Sequence, residues 1–304
     1  MALPEASTIW LDGALVPWQE ARVHVLTHGL HYGTGVLEGT RVFATADGPA
    51  VFRLPEHLRR LDRSARMIRM ELPYGPDDLA KATLELVRAN GHRECYLRHF
   101  AFLGYGTMGI DMRHSPVGVS IASWEWQGQL PHAEGGITLK TSSWRRNDPN
   151  AVPPAAKATG PYLNAVLARR EANDAGYDEA LLLGPDGTVS ECTGENVFAV
   201  RDGVLRPPPS SAGALEGITQ DTVLTLARDR GIEVRVEGLL RSDLYAADEV
   251  FVCGTAAGII PVRALDDRAL PGAPGPVTAV LDEAYRAAVT GADPRYRHWL
   301  TPVA

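Results

Sequence analysis

Pro153-Pro154-Ala155-Ala156-Lys157-Ala158-Thr159-Gly160 places one lysine among small residues, with no acidic neighbour in sequence. An ammonium held in apolar company gives up hydration, so this is a poor place for a charge whose only task is solubility. The rest of the chain adds weight to the setting. Lysine stands only at Lys81, Lys140 and Lys157, while twenty-seven arginines carry the remaining positive charge. Codon bias accounts for that ratio but not for the three exceptions, which kept a side chain that can lose its proton and act as a nucleophile. Lys81 lies in the helical pattern Asp77 to Arg88, four residues before Glu85, where an exposed ion pair is the default. Lys140 ends the alternating strand of Ile137 and Leu139 and points to the opposite face. Lys157 has no such bland role.

Outward from Lys157, the chain alternates helices and hairpins. Tyr162 to Ala175 predicts a helix that Gly176 closes. Glu179 to Leu183, the turn Pro185-Asp186-Gly187 and Val189 to Val200 predict two paired strands. Gly217 to Arg230 reads as an amphipathic helix stopped by Gly231, followed by strand-like alternation at Ile232, Val234 and Val236 and by the strand Glu249 to Cys253. Toward the N-terminus, Ile137 to Ser143, Gly118 to Trp126 and Cys95 to Leu103 are strand-like, and Glu56 to Ile68 and Asp77 to Ala89 are helical. Two hairpins open the chain: Ile9 to Leu11 with Ala14 to Val16 around Asp12-Gly13, and Gly39 to Phe43 with Val51 to Arg53 around Ala46-Asp47-Gly48-Pro49. Strands outnumber helices and hairpin turns recur, so the expected class is α+β with mostly antiparallel pairing. Pro131 and Gly135-Gly136 mark the loosest stretch. The expected division is a smaller N-terminal domain over 1–128, a linker over 129–136 and a larger C-terminal domain over 137–304.

Composition narrows the function. The 304 residues are 45% hydrophobic and 22% charged, the balance of a folded globular chain long enough to enclose a pocket. A net charge of -7 has the wrong sign for a protein that neutralises phosphate backbones, so nucleic acid is not an expected partner. Cys95, Cys192 and Cys253 are odd in number and far apart, which fits a reducing cytoplasm and neither a disulfide framework nor a zinc knuckle. Met1 to Trp10 carries no basic, apolar leader, and no segment offers the uninterrupted apolar run of a membrane span.

The commonest nucleotide, serine-hydrolase and zincin motifs are absent. His24, His28 and His31 would share a face on a helix, but Thr27, Gly29, Gly33 and Gly35 disfavour one, which leaves hydrogen-bonded loop histidines as the plainer reading beside a metal-dependent hydrolase. Gly217-Ile218-Thr219 opens a helix whose free N–H groups and threonine hydroxyl suit an anion, and Gly254-Thr255-Ala256 is a second small-residue turn with a hydroxyl. Glu191 and Glu195 stand in an apolar strand, where a carboxylate needs a cation or donors. Both are structural salt bridges by default, and the functional alternative is a carboxylate that keeps a cofactor's ring nitrogen protonated.

Taken in order, Pro154 to Leu163, Ser190-Glu191-Cys192-Thr193-Gly194-Glu195-Asn196-Val197-Phe198, Leu215-Glu216-Gly217-Ile218-Thr219 and Gly254-Thr255-Ala256-Ala257 resemble the fold type IV pyridoxal-phosphate enzymes. Within them the chain looks most like a branched-chain amino acid aminotransferase. The N-terminal half agrees through His24 to Gly33, Glu38-Gly39-Thr40-Arg41 and Tyr96-Leu97-Arg98.

The resemblance implies a two-domain α+β fold, the larger domain built on a mostly antiparallel pseudo-barrel sheet, and a cytoplasmic transaminase that uses pyridoxal 5'-phosphate and acts as a homodimer or an assembly of dimers. Its substrates would be amino acids and 2-oxo acids, the amino group passing between leucine, isoleucine or valine and 2-oxoglutarate. It implies that Lys157 carries the cofactor, Glu191 pairs with the ring nitrogen, and Tyr162 meets the ring hydroxyl. Arg60, Gly217, Ile218, Thr219 and Thr255 would hold the phosphate. Tyr96 with Thr255-Ala256 would take the substrate α-carboxylate and Arg98 the distal carboxylate of glutamate. Leu37, Gly39, Arg41 and Trp126, with Tyr32 and Ile110 from a partner subunit, would line the side-chain pocket. The sequence departs from the family pattern at Leu37, His99, Pro161, Gln220 and Gly258. D-amino acid or amine transamination and aminodeoxychorismate lyase activity remain as sibling chemistries of this fold.

Overall fold

The computed structural model describes residues 3–126 and 135–303. Residues 129–134 of the expected linker therefore lie outside the described residues. The chain divides into two compact units: Met1–Gln127 with Ala156–Gly160 and Ala287–Ala304, and Gly128–Ala155 with Pro161–Arg286.

The first unit is built on an antiparallel sheet. Its strands are β1 (Thr8–Leu11), β2 (Ala14–Pro17), β3 (Gly35–Thr45), β4 (Gly48–Phe52), β5 (Cys95–Leu103) and β6 (Val117–Trp124), and its order is Leu300–Pro302, β4, β3, β5, β6, β1, β2. Asp12 and Gly13 turn the first hairpin with φ of 45° and 99°, the left-handed pair that a two-residue hairpin loop requires. A five-residue helix α1 (His28–Tyr32) forms despite its glycine, closed by Gly33 at φ 65°. α2 (Leu54–Met67) and α3 (Pro76–Asn90) follow the 3.6-residue pattern, with Leu58, Leu61, Ala65, Leu79, Leu86 and Val87 in the core. The buried face of α2 is not wholly apolar. His57, Arg60 and Ser64 lie on it at intervals of three and four residues.

Residues 156–160 and 287–304, which the sequence assigns to the C-terminal domain, join the first unit. Backbone pairing is the cause: Val36 bridges Ala158, Thr159 N–H donates to Gly35 O at 2.9 Å, and Leu300–Pro302 pairs with β4.

The second unit carries β7 (Ile137–Arg145), β8 (Glu179–Leu183), β9 (Val189–Cys192), β10 (Asn196–Arg201), β11 (Val204–Arg206), β12 (Glu249–Gly254), β13 (Gly258–Leu265) and β14 (Arg268–Ala269). The sheet runs β11, β10, β12, β13, β7, β8, β9, with β14 on β13. Only the β13–β7 and β7–β8 pairs are parallel. Its helices include α4 (Tyr162–Asp174) and α5 (Ile218–Asp229). Two expectations change here. The span Val189 to Val200 is two strands, because the chain folds back at Thr193-Gly194-Glu195 and Cys192 N–H donates to Glu195 O at 2.8 Å. Ile232, Val234 and Val236 make no regular strand: only Val234 bridges Leu205, and Val236 is 54% exposed.

Candidate functional site

In the first unit, Lys157 is fixed through its own peptide. Its N–H donates to Ser64 Oγ at 3.1 Å, and its carbonyl accepts from Leu37 N–H at 2.9 Å. Ser64 is fully buried on α2 and Leu37 stands on β3, so a helix and a strand grip the two sides of one residue. The side chain is half-buried, beside the buried Ala156 and Ala158.

Next to this segment lies a charged cluster that sequence patterning did not expose. Arg60 donates to Glu38 through Nε at 2.5 Å and Nη2 at 2.9 Å, and His57 Nδ1 lies 2.8 Å from the second carboxylate oxygen. Glu38, His57 and Arg60 are 0%, 1% and 5% exposed. Burial pushes the Glu38 carboxyl up, yet the charges and hydrogen bonds of Arg60 and His57 together outweigh it and hold the group far below the ordinary range. Burial likewise pushes His57 down, against the pull of Glu38. His99, one of the departures, packs behind them with Nε2 at 2.8 Å from Thr83 Oγ1, and burial drives it to about 3. The signal in the sequence was the spacing His57-x-x-Arg60-x-x-x-Ser64 on the apolar face of a helix.

Four expected substrate contacts come together on β3 and β5. Gly39 pairs with Arg98 and Arg41 with Tyr96. A Cβ at Gly39 would sit 1.8 Å from Tyr96 Oη, so only glycine leaves room for the phenol. Arg98 Nη2 donates to Tyr96 Oη at 3.4 Å, and the guanidinium stands 5.5 Å from the ring centroid. Trp126 packs against the ring of Tyr96, 4.8 Å between centroids. Tyr32 and Ile110 are not part of this group. They are exposed, Ile110 by 91%, and are tied to one another through His28, whose ring lies 4.5 Å from that of Tyr32 and whose Nε2 lies 2.8 Å from Gly109 O. His31 Nε2 lies 2.9 Å from Val25 O, and His24 Nδ1 accepts from Leu26 N–H. The three histidines serve the local backbone rather than converging on a point.

In the second unit, Glu191 is 6% exposed and held by Arg146 Nη2 at 2.5 Å and by Leu215 N–H at 3.0 Å. Nothing in the sequence marked Arg146 as its partner. The same stretch leads to Gly217, where a Cβ would fall 2.0 Å from Asn196 Oδ1, and then to α5 with Ile218 and Thr219 in its first turn. Gln220, a second departure, accepts from Gly217 N–H at 3.4 Å through Oε1. Thr255 and Ala256 lie in the turn between β12 and β13, which closes where Gly254 pairs with Gly258. Gly258 has φ 71°, so the turn itself explains glycine at that departure. Tyr162 is the first residue of α4, directly after Pro161.

Glu195 differs from Glu191. Neither of its carboxylate oxygens has a hydrogen-bond donor among the described residues, although it is only 3% exposed. Its neighbour Glu179 has taken the donors: Arg169, Ala180 N–H at 2.7 Å and Thr193 Oγ1 at 2.6 Å. Burial and then the Glu179 charge push the Glu195 carboxyl well above the ordinary carboxyl range.

An amine, a guanidinium, a carboxylate pinned as an anion, a helix start and two threonine hydroxyls are the groups that a pyridoxal phosphate requires. The class IV amino-transferase family model matches residues 35–265. A branched-chain-amino-acid aminotransferase of Pseudomonas aeruginosa is 42% identical over 298 residues, 97% of each chain. A crystal structure of the T.th. branched-chain amino acid aminotransferase complexed with N-(5'-phosphopyridoxyl)-L-glutamate superposes with a TM-score of 0.95 at 47% identity, covering 99% of this chain and 100% of that one. The Escherichia coli branched-chain amino acid aminotransferase gives a TM-score of 0.96 at 42% identity over the same shares.

Proposed function

This chain belongs to the class IV amino-transferase family, and from that premise we propose the residues and the assembly through which it works. It is a pyridoxal-phosphate-dependent transaminase that moves the amino group between L-branched-chain amino acids and 2-oxoglutarate. When bound, the cofactor supplies an aldehyde carbon and a ring that accepts electrons. Lys157 Nζ would be the amine that holds the cofactor at that carbon, and as a free amine it would take and return a proton at the substrate α-carbon. Glu191, kept anionic by Arg146 and Leu215 N–H, holds the ring nitrogen protonated.

Arg60, Gly217, Ile218, Thr219 and Thr255 hold the phosphate, and Tyr162 meets the ring hydroxyl. Tyr96 and the Thr255-Ala256 turn orient the α-carboxylate. Arg98 grips the distal carboxylate of glutamate, while Leu37, Gly39, Arg41 and Trp126 face the apolar side chain. The observation that carries this reading is the double grip on the Lys157 peptide by Ser64 and Leu37, which a solvated lysine has no use for. An absorbance spectrum tests it. The purified protein should be yellow and should be bleached by L-leucine and by L-glutamate but not by D-alanine; bleaching by D-alanine alone would move it to a sibling chemistry.

The working form in this proposal is a homodimer in the cytoplasm. Val25, Leu30 and Ile110 of the first unit are 72%, 64% and 91% exposed, and Leu163 and Val166 of the second are 67% and 60% exposed, apolar side chains that a partner subunit would cover. All three cysteines are free and buried, as suits a reducing compartment. No helix among the described residues is long and apolar enough to cross a membrane. Mixing Lys157→Ala subunits with Tyr32→Ala subunits restores activity if Tyr32 serves the neighbouring site; a fully active monomer in sedimentation refutes the assembly.

A further inference from the structure

The Glu38, His57 and Arg60 cluster has a charge balance that an incoming anion would upset. In the protein alone the carboxylate is matched by the guanidinium through two hydrogen bonds, and His57 adds a third. The pair sums to zero, and burial, which pushes His57 below its ordinary value, favours an uncharged ring beside it. If Arg60 also meets a phosphate dianion, the buried guanidinium and the half-buried Lys157 answer for the carboxylate and two further negative charges, which leaves negative charge in excess. Low local dielectric makes such an excess costly, and a nearby group that can gain positive charge relieves it.

We propose that the phosphate of the cofactor is bound together with one proton, taken up by His57 and shared with Glu38. The proposal rests on the reading that Arg60 meets the phosphate.

His57 is the group suited to this by position. Glu38 faces it from β3, Arg60 from its own helix, His99 from β5 and Lys157 from the 156–160 segment. His99 does not compete, since burial holds it at about 3. Arg60 cannot change its charge in water's pH range. Free His57 sits below its ordinary value because burial and two neighbouring cations outweigh one carboxylate. Two more negative charges tip that balance toward the imidazolium, which keeps Nδ1–H on Glu38 and gains a second N–H at Nε2. The sign follows from linkage. A group whose value rises on binding adds affinity that is complete below its free value and is lost as pH climbs through its bound value. Phosphate-dependent affinity therefore falls with rising pH, by up to about tenfold per pH unit within that window.

Pyridoxamine 5'-phosphate and pyridoxamine serve as probes, because neither has an aldehyde and neither bonds to Lys157. Calorimetric titration of the cofactor-free full-length protein at about pH 7, in buffers of different ionisation heat, counts the protons exchanged. The phosphate ester is already mostly dianionic there, so it brings no proton uptake of its own. The expected result is about one more proton taken up with pyridoxamine 5'-phosphate than with pyridoxamine, a difference that disappears in His57→Gln. No difference in the wild type overturns the proposal without any variant being needed, and an uptake that survives in His57→Gln assigns the proton elsewhere and overturns it too. Arg60→Gln separates this failure from that of the underlying reading. If the phosphate's affinity advantage is unchanged in Arg60→Gln, Arg60 does not meet the phosphate; if the advantage is lost while the wild type takes up no proton, only the coupling is wrong.

Discussion

The two units bury their charges in opposite proportion. In the first unit Glu38 is the one buried carboxylate among the described residues, against the buried Arg60 that pairs with it and the half-buried Arg41, Arg98 and Lys157. In the second unit four glutamates, Glu179, Glu191, Glu195 and Glu249, are buried among the described residues, with Arg146 on Glu191 and Arg169 on Glu179. The first arrangement suits anions, the carboxylates and phosphate of its ligands. The second suits a protonated nitrogen and leaves Glu195 without a hydrogen-bond donor among the described residues. Residue type alone does not set a carboxyl's acidity: Glu38, with a donor on each oxygen, is held far below the ordinary range, whereas Glu195, with none, is pushed well above it.

The largest effect that bears on this comparison is at Lys157, where charge and chemistry can be separated. Lys157→Arg preserves the cation and removes the nucleophile, so it and Lys157→Ala should both lose turnover by about 10⁴-fold and lose the yellow absorbance. An active arginine variant would mean that only the positive charge matters there. Next comes the contrast within the second unit. Glu191→Gln should cut turnover by about 10³-fold with the fold intact, because a neutral amide cannot keep the ring nitrogen protonated. Glu195→Gln puts a neutral amide where the raised carboxyl already favours its neutral form, and should turn over nearly as the wild type does. Equal losses in steady-state assays would erase the distinction between the two acids.

Arg98→Met tests the cation-rich side. Single-turnover rates with L-glutamate should fall by about 3 kcal/mol in transition-state terms, since a buried carboxylate loses its partner, while L-leucine loses none. Parallel losses would make Arg98 a support for Tyr96 rather than a selector of substrate. The smallest effect is on stability. Glu195 is raised in the folded state, so its contribution is complete below the ordinary carboxyl range and is lost as pH rises from there toward its shifted value. Glu195→Gln removes that loss. Denaturant melts should find the variant more stable than the wild type by about 1 kcal/mol near pH 8, with the gap closing toward pH 4; a gap that widens on acidification reverses the assignment of the proton.

Much of this was legible in the residues. Scarcity picked out Lys157, the 3.6-residue rhythm with its glycine stops gave α2, α3, α4 and α5, and alternation put Tyr96 and Arg98 on one face of β5. Carboxylates within apolar stretches marked Glu191 and Glu195 as buried. Which of them has a donor was not legible, because Arg146 and Arg169 lie far off in the chain and their approach is set by the sheet. Periodicity also passes over a polar residue on an apolar helix face, which is why His57, Arg60 and Ser64 read as a helix and not as a cluster. The break at Thr193-Gly194-Glu195 was missed because every side chain around it suits a strand.

The first unit takes its residues from three stretches of the chain, and this orders its assembly in time. Residues 3–126 are made before the second unit, yet β4 gains its outer neighbour Leu300–Pro302 only after that unit has been made, and β3 waits for Leu37 to bond to Lys157 and Val36 to bridge Ala158. Closing loops of that length is slow, and an uncovered strand edge invites pairing with other chains in the interval. A nascent chain of this protein thus keeps an open edge on β4, and with it a route to misassembly, until Leu300–Pro302 emerges.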